Sequence, residues 1–348
     1  MANQYYVYFG HPQVAVAWPS LSEPPPLPLA SATYIQKTLL EMEAQLGIDN
    51  LTFYITSHAI DELPKYGPSV VAIVLGDEWA RVPRYADRVR AIFKCYGTQP
   101  ILGLGSFKRS FSLNVLTLMQ FCRVKLMNMP YQLLFWLNRA KSVMASDAGP
   151  APIYQIPLGY CNQLDLPIKA ISDRPYDISF AGSIVQRQYP AWSPNRWMGN
   201  PKILSRKRMI AVLKRMQETH PHINIELKIS AGFRASRHSD EMDYSQQLMS
   251  TKICLAPRGT SFETYRFFEA MRYGCVAITE ALPDVWFYRD SPAIEVTDWS
   301  ELAPTIEQLI SDPALMQQKH KAALNWWETV CSEKALGAYI AKALMNSL

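Results

Sequence analysis

The segment that decides the fold runs from Lys252 to Ile278 and reads KICLAPRGTSFETYRFFEAMRYGCVAI. It opens with a short apolar run, KICLAP, and closes with a second one, GCVAI, and a stretch of helical pattern lies between them. The order strand, loop, helix, strand within about 30 residues is a βαβ unit. The segment therefore predicts two parallel strands joined by a helix.

Both ends of this helix carry sequence signals. Thr260 followed three residues later by Glu263 fits a capping box, which predicts that the helix begins at Ser261. Gly274 follows the helical pattern, and glycine is the residue preferred just past a helix end because it adopts a left-handed backbone without strain. We therefore expect a helix that begins at Ser261 and stops at Gly274.

An anion site is predicted at the start of this helix. Arg258, Gly259 and Thr260 come at its positive end, where backbone N–H groups and a guanidinium together bind anions. Further along, Arg266 and Glu269 fall near one face of the helix. A guanidinium can fork onto phosphate oxygens, and a carboxylate can accept hydrogen bonds from paired hydroxyls. The alternative for this pair is a plain salt bridge worth about 0.2–0.5 kcal/mol.

These residues resemble the nucleotide-sugar-binding segment of exostosin-like glycosyltransferases. The family pattern is Pro-Arg-Gly, a gap, Ser/Thr-x-Arg-x-x-Glu-Ala, and then Gly-Cys-x-Pro-Val-Ile. The matching positions, in order, are Thr264, Arg266, Glu269, Ala270, Gly274 and Cys275. Ala277 replaces the proline of the pattern. Ser261 stands where many retaining relatives carry the first glutamate of a Glu-x7-Glu pair, and that departure favours the inverting branch.

The resemblance implies the fold class and the reaction. The fold class is α/β: the GT-B fold, with two Rossmann-like domains whose parallel sheets face a central cleft, followed by a helical C-terminal tail. The reaction moves a sugar from a nucleoside-diphosphate donor, with a UDP-sugar favoured, to a hydroxyl of a glycan or glycolipid, with inversion and without a metal or other cofactor. Arg266 would bind the donor diphosphate and Glu269 the ribose or sugar hydroxyls, beside Thr264.

The first half of the chain alternates apolar runs with helical patterns, which predicts βα units on a parallel sheet. The clearest buried strand is SVVAIVLG, which ends directly before Asp77 and Glu78. Side chains at the carboxyl end of a parallel strand point into the ligand crevice. Because neighbouring residues point opposite ways, one of the two is expected to act as the catalytic base. A helix cap or a surface pair is the alternative for both.

The predicted domain boundaries are 1–168 for the acceptor-side domain, 169–330 for the donor domain, and 331–348 for a C-terminal helix that packs back on the first domain. Each domain has one zone without acidic residues, at 101–146 and at 178–217. Within the second zone, Arg187 and Arg208 are expected to contact the donor. Such basic zones point to anionic ligands or surfaces.

The acid-free zone 101–146 reads as one helical stretch, interrupted near Pro130. Basic residues on an otherwise apolar helix are typical of a helix that lies at a membrane surface. The same composition fits a core helix whose Lys and Arg side chains reach out to solvent, and this second reading is favoured because half-buried helices are common. A peripheral membrane contact through 101–146 is therefore the weaker expectation.

Several function classes are disfavoured by what the sequence lacks. The six cysteines form no C-x-x-C, the first residues carry no secretory pattern, and no apolar stretch has the roughly 20 residues of a membrane span, so a cytoplasmic protein is expected. No nucleic-acid-binding signature is present, and nucleic acid is not an expected partner. No metal site is expected either, since Asp-x-Asp after a buried strand is missing.

Two other functions fit the same residues. One is a non-catalytic protein that binds a nucleotide-sugar or an anionic glycan on the donor fold. The other is a fucosyltransferase-like GT-B enzyme that uses a GDP-sugar, although Pro-Arg-Gly favours the exostosin-like interpretation.

Overall fold

The computed structural model describes residues 2–10, 13–105, 107–145, 151–161, 164–184, 200–230 and 238–347. They form two compact units. The first unit consists of Met1–Pro100, Cys122–Cys161 and Val330–Leu348, and the second of Ile101–Phe121 and Asn162–Thr329. Each unit contains one sheet.

The sheet of the first unit has the order β2-β1-β3-β4-β5-β6. All neighbours are parallel except β2, which runs antiparallel to β1. The strands are β1 (Gln4–Gly10), β2 (Gln13–Ala17), β3 (Thr52–Thr56), β4 (Gly67–Val74), β5 (Val89–Lys94) and β6 (Ile153–Gln155). Buried β-branched and aromatic side chains of β3, β4 and β5 form its centre, as expected for strands covered on both faces.

The sheet of the second unit has the order β11-β10-β9-β7-β8, and all its strands are parallel. Its strands are β7 (Tyr176–Ser183), β8 (Ile225–Ser230), β9 (Thr251–Ala256), β10 (Val276–Thr279) and β11 (Ile294–Glu295). The βαβ unit predicted from the opening segment is β9 and β10 with the helix between them. The predicted fold class, α/β with a Rossmann-like parallel sheet in each unit, is confirmed.

The helices cover the sheets of the two units. Within the described residues they are α1 (Ala32–Glu43), α2 (Phe107–Ala145), α3 (Pro201–Thr219), α4 (His238–Met249), α5 (Tyr265–Arg272), α6 (Leu302–Ser311), α7 (Pro313–Trp326) and α8 (Glu333–Asn346). The predicted helical C-terminal region is confirmed. It is divided into α6, α7 and α8, with a π-helical turn at Trp327–Cys331 between the last two.

Helix α8 packs on α1 at very short range. A Cβ atom on Gly337 would lie 2.7 Å from Cβ of Glu41 and 2.8 Å from the backbone nitrogen of Met42, so only glycine allows the two backbones this close. The hydroxyl of Tyr34 on α1 also donates to the carbonyl of Cys331, at 2.7 Å. The C-terminal helix is therefore part of the first unit.

The division of the chain into two units differs from the predicted domain boundaries at residues 101–121. This stretch lies in the second unit, although the predicted first domain ran to residue 168. The reason is a close backbone approach: a Cβ on Gly105 would lie 2.1 Å from the carbonyl oxygen of Thr297. Ser110 also donates a hydrogen bond to the carboxylate of Asp298. Contacts between segments so distant in sequence leave no mark on local composition.

Helix α2 continues through Pro130, which corrects the predicted interruption there. Proline removes one N–H and crowds the carbonyl of Leu126, but Pro130 is exposed, so water can solvate that carbonyl. The non-helical residue is instead Ser110, with φ −123° and ψ 29°. In the part of the chain that the structure describes, no helix is both long and apolar enough to cross a membrane.

Buried His320 on α7 predicts that the stability of the second unit depends on pH. Its Nδ1 lies 2.6 Å from the carbonyl oxygen of Gly274. Burial lowers the pKa of its imidazole below 6.5; this hydrogen bond opposes the shift, and Arg174 and Lys321 add to it. The unfolded chain therefore binds more protons than the folded chain as pH falls below about 6.5, so the free energy of unfolding decreases there.

We expect His320→Gln to flatten this dependence. One histidine can contribute at most about 1.4 kcal/mol per pH unit. Urea unfolding of wild type and variant between about pH 7 and pH 5 measures the difference in slope. The slope, and not the absolute stability, is the readout, because the variant also changes the hydrogen bond to Gly274. Equal slopes in the two proteins would show that His320 does not carry this pH dependence.

Candidate functional site

The candidate site lies at the carboxyl edge of the sheet in the second unit. Strands β7, β9 and β10 end there at Ser183, Ala256 and Thr279. The loop after β9 and helix α5 follow directly, and α5 carries Arg266 and Glu269. In open parallel sheets this edge binds ligands, because the loops that leave the strands place polar side chains around one crevice.

The loop between β9 and α5 is longer than the capping box predicted. Helix α5 begins at Tyr265 with Thr264 as its N-cap, and not at Ser261. The N–H of Gly259 donates to the carbonyl of Ser261 at 2.8 Å, and the N–H of Glu263 lies 3.3 Å from the Ser261 hydroxyl. These local bonds hold a turn where the first helical turn was expected, so Gly259 does not offer its N–H to an anion.

The predicted end of the helix is confirmed in detail. Gly274 has φ +67°, and its N–H donates to Met271 while the N–H of Cys275 donates to Ala270. This pair of bonds is the Schellman motif, which satisfies the last carbonyls of a helix.

Arg258 is buried beneath this loop. Its guanidinium donates to the hydroxyl of Thr117 at 2.9 Å and to the side-chain oxygen of Gln120 at 3.1 Å, and it lies 4.0 Å from the ring centre of Phe262. Burial lowers the pKa of Arg258 to about 10, an effect that the carboxylate of Glu280 opposes. Arg258 therefore anchors the loop, and its Nε–H remains a buried donor without a hydrogen-bond partner.

Two residues that the sequence analysis missed complete this edge. Glu280 follows β10 directly, and its carboxylate accepts the backbone N–H of Arg258 at 2.8 Å. Burial raises the pKa of Glu280, and Arg258 and Arg206 oppose the rise. Arg206 on α3 donates to the carbonyls of Ser183, at 2.9 Å, and of Arg258, at 3.3 Å. Glu280 could have been found, because an acid directly after a buried strand is the signal that singled out Asp77.

Arg208, the residue of the same helix that is expected to contact the donor, points towards other side chains. Its guanidinium lies 2.8 Å from the hydroxyl of Ser110 and 3.7 Å from the carboxylate of Asp298. Residues two positions apart on a helix project about 200° apart around its axis, so Arg206 and Arg208 face different neighbours. Arg187, the other choice from this basic zone, lies outside the described residues.

Arg266 reaches from α5 to the end of β7. Its guanidinium donates to the carbonyl of Ala181 and lies 4.9 Å from the ring centre of Phe180. A Cβ on Gly182 would come within 3.0 Å of the same guanidinium, so the glycine makes room for it. Nε of Arg266 is buried without a hydrogen-bond partner. The side chain is thus positioned by protein contacts and retains a donor.

Glu269 is buried one turn further along α5. Its carboxylate accepts a hydrogen bond from the hydroxyl of Tyr244 at 2.9 Å. Burial, and next the charge of Glu269, raise the pKa of Tyr244 well above its usual value, while Arg266 opposes the shift. The tyrosine therefore stays protonated and orients the carboxylate.

Thr264, at the start of α5, carries a further buried polar atom without a hydrogen-bond partner. It is the N-cap residue, yet its side chain makes no capping hydrogen bond, and its buried Oγ1 has no partner. The structure therefore gathers three buried polar atoms without protein partners on the loop and helix after β9: Nε of Arg258, Oγ1 of Thr264 and Nε of Arg266. Such groups in a native fold call for an explanation, and a polar ligand is one.

In the first unit, Asp77 and Glu78 follow β4 as predicted. The Asp77 carboxylate is buried, accepts the N–H groups of Trp79 and Arg81, and lies 3.2 Å from Nζ of Lys94. These bonds fit the alternative of a capping and anchoring role. Glu78 is exposed. In the described ranges, no three His, Cys, Asp or Glu side chains are grouped so as to hold a metal ion.

Part of the second unit is similar to known proteins. Residues 170–285 match the family model of the RXYLT1 C-terminal domain, and this range contains α5 and β7 to β10. The Exostosin-1 homolog of Caenorhabditis elegans is 33% identical over 88 residues, which are 24% of this chain and 22% of that protein. Exostosin-1b of Danio rerio is 34% identical over 79 residues, 23% of this chain and 9% of that protein.

These matches confirm the resemblance to exostosin-like glycosyltransferases. The chain covers less than a quarter of the length of either relative. Similar solved structures include T4 phage BGT in complex with UDP and Mn²⁺, with 13% identity, 99% coverage of both chains and a TM-score of 0.41. Another is the sucrose-phosphate synthase of Thermosynechococcus elongatus, with 13% identity, coverage of 91% of this chain and 93% of that one, and a TM-score of 0.43.

Proposed function

We propose that this exostosin-like chain is a glycosyltransferase that moves a sugar from a nucleoside-diphosphate donor to a hydroxyl of a glycan or glycolipid. A UDP-sugar is the favoured donor, and the transfer inverts the anomeric centre without a metal ion. The observation that carries the proposal is a set of buried polar atoms without hydrogen-bond partners at the carboxyl edge of the second sheet. They belong to Arg258, Thr264 and Arg266.

The chemistry of these groups suits a departing diphosphate. Negative charge accumulates on the leaving group as the glycosidic bond breaks, and preorganised positive donors stabilise that charge. Arg266 is held over the end of β7, and Arg206 and Arg258 lie at the same edge. Guanidinium groups can supply the charge that a metal ion supplies in other transferases.

Glu269 is suited to hydroxyl groups of the donor. Tyr244 fixes the orientation of its carboxylate, and a buried, oriented carboxylate accepts hydrogen bonds with a strict geometric requirement. In this proposal Glu269 binds the paired hydroxyls of the ribose or the sugar, one turn along α5 from the diphosphate contact of Arg266.

Inversion by a single displacement requires a base that takes the proton of the acceptor hydroxyl. Of the two carboxylates after β4, we assign this role to Glu78. The oxygens of Asp77 are already engaged by two backbone N–H groups and by Lys94, whereas Glu78 is exposed to solvent and can be approached by an acceptor.

A nucleotide panel tests the proposal. Thermal unfolding of the whole chain is followed with UDP, GDP, CDP and dTDP, because a ligand at about 100 times its dissociation constant adds about 2.7 kcal/mol to the free energy of unfolding. We expect UDP to give the largest shift, and the matching UDP-sugar to be hydrolysed or transferred in the presence of a chelator. No shift with any nucleotide would refute the donor site. Binding without turnover would favour the non-catalytic alternative, and stabilisation by GDP alone would favour the fucosyltransferase-like one.

A further inference from the structure

The part of helix α2 that belongs to the first unit turns a mixed face inward: Val124 is buried, Phe135 packs against the core, and two polar side chains bond to neighbouring loops. Nδ2 of Asn128 donates to the carbonyls of Trp79, at 2.7 Å, and Ala80, at 3.1 Å, and Nε2 of Gln132 lies 3.3 Å from the carbonyl of Thr98. These bonds fix the rotation of the helix about its axis. The inner side therefore packs on the first unit as the favoured expectation for this stretch has it, a half-buried helix, but that expectation does not account for the opposite side.

The opposite face of the same helix is apolar and exposed. We call it the outer face of α2. Its side chains retain half to two-thirds of their accessible surface: Leu126 66%, Met129 59%, Leu133 59%, Trp136 61% and Leu137 49%. At about 100° per residue, these positions fall within an arc of about 100°. They form one continuous stripe about 16 Å long, at a rise of 1.5 Å per residue.

Positive charge borders this stripe on both sides. By helical position, Arg123 and Lys141 lie along one side, between the stripe and the exposed side chains of Met127 and Leu134, and Lys125 and Arg139 lie along the other side. No acidic residue occurs between positions 101 and 146. The carboxylate of Asp87 contacts α2 away from this stripe: it accepts a hydrogen bond from Nδ2 of Asn138 at 3.0 Å.

We infer that the outer face of α2 docks the first unit on the surface of an anionic lipid bilayer. Apolar side chains would enter the boundary between headgroups and acyl chains, with Trp136 at the level where indole rings are favoured. The four cations would lie among the anionic headgroups. A protein partner could cover the apolar stripe, but an edge of cations on each side, with no anion along the helix, matches an anionic lipid surface. Docking of this kind does not depend on sugar transfer.

Vesicle binding tests this inference. The whole chain is floated with vesicles of phosphatidylcholine alone and of phosphatidylcholine with phosphatidylglycerol at one lipid in three. We expect binding to the anionic vesicles that weakens as salt is raised, because salt screens the cationic edges. Leu133→Ser combined with Trp136→Ser should lower the partition coefficient at least tenfold. The matched control is Leu40→Ser, which removes a similarly exposed apolar side chain from α1 and should leave binding unchanged.

The charged edges are tested separately. Arg123→Gln combined with Lys141→Gln should weaken binding to the anionic vesicles by about 25-fold, at about fivefold per cation, with no effect on the neutral ones. Fluorescence quenching by brominated lipid provides a second readout: it should lose one component in Trp136→Phe. The inference is wrong if wild type does not float with anionic vesicles, or if the Leu133 and Trp136 substitutions leave floating unchanged. It is also wrong if those substitutions only dissociate a dimer of the chain.

Discussion

Replacing Arg266 by lysine is expected to weaken the binding of the nucleoside diphosphate by about 10- to 100-fold. A hydrogen bond to a charged group is worth about 1.5–3 kcal/mol, and each 1.4 kcal/mol is a factor of ten in affinity. Lysine keeps the charge but cannot present the planar fork that matches two phosphate oxygens. It also cannot keep both the bond to the carbonyl of Ala181 and the position over the ring of Phe180.

Transfer should fall at least as far as binding. If Arg266 contacts the leaving diphosphate, its bonds strengthen as negative charge develops, so the loss appears in kcat as well as in KM. Glu269→Gln should behave differently. It keeps the shape and the contact with Tyr244 but weakens the bonds to hydroxyl groups, so we expect mainly a rise in KM for the donor.

A matched control separates these effects from any general effect of replacing an arginine by a lysine. Arg289 lies in the same unit as part of an exposed pair with Asp284, at 3.4 Å, so Arg289→Lys should alter neither binding nor transfer. Calorimetric titration with the nucleotide, together with steady-state kinetics, measures both quantities. If Arg266→Lys binds and transfers like wild type, Arg266 is only a structural residue.

The two ends of α5 show what could and could not be predicted from the sequence. The C-terminal end was predicted correctly, because a glycine with positive φ and two backbone bonds is a local motif. The N-terminal end was placed too early, although Thr260 and Glu263 have the spacing of a capping box. There the turn that joins Gly259 to Ser261 competes with the helix. A spacing rule does not show which of two local arrangements the surrounding loop stabilises.

The side chains of the candidate site show the same distinction between what local sequence predicts and what tertiary contacts determine. Arg266 and Glu269 were identified because they lie on one predicted helix beside recognisable strand ends. Arg206 was missed in favour of Arg208, since composition locates a basic helix but not its rotation about its axis. The inward turn of Asn128 on α2 is a similar case: its partners are the carbonyls of Trp79 and Ala80, far away in the sequence. Such orientations depend on tertiary contacts.

Gly274→Ala is expected to destabilise the second unit by about 2–5 kcal/mol. A left-handed backbone costs an alanine about 1–2 kcal/mol, and Gly274 has φ +67°. The new Cβ would also lie 2.6 Å from Nδ1 of His320, so the imidazole must move and its bond to the Gly274 carbonyl is strained or lost. Overpacking of this kind costs about 1–3 kcal/mol. Urea unfolding monitored by tryptophan fluorescence measures the loss.

Two further variants separate the strain of the backbone from the clash. Gly47→Ala is the matched control: no atom lies within 4 Å of its new Cβ and its φ is not positive, so its stability should stay within about 0.5 kcal/mol of wild type. His320→Ala in the Gly274→Ala background removes the clashing ring. If the clash is real, His320→Ala should cost less in that background than in wild type, with a coupling energy of at least 1 kcal/mol. Strictly additive effects would show that the contact with His320 is not a cause, which leaves the backbone strain and the contact with Leu324, whose Cγ would lie 2.9 Å from the new Cβ. A Gly274→Ala protein as stable as the Gly47→Ala protein would show that neither effect operates at this helix end.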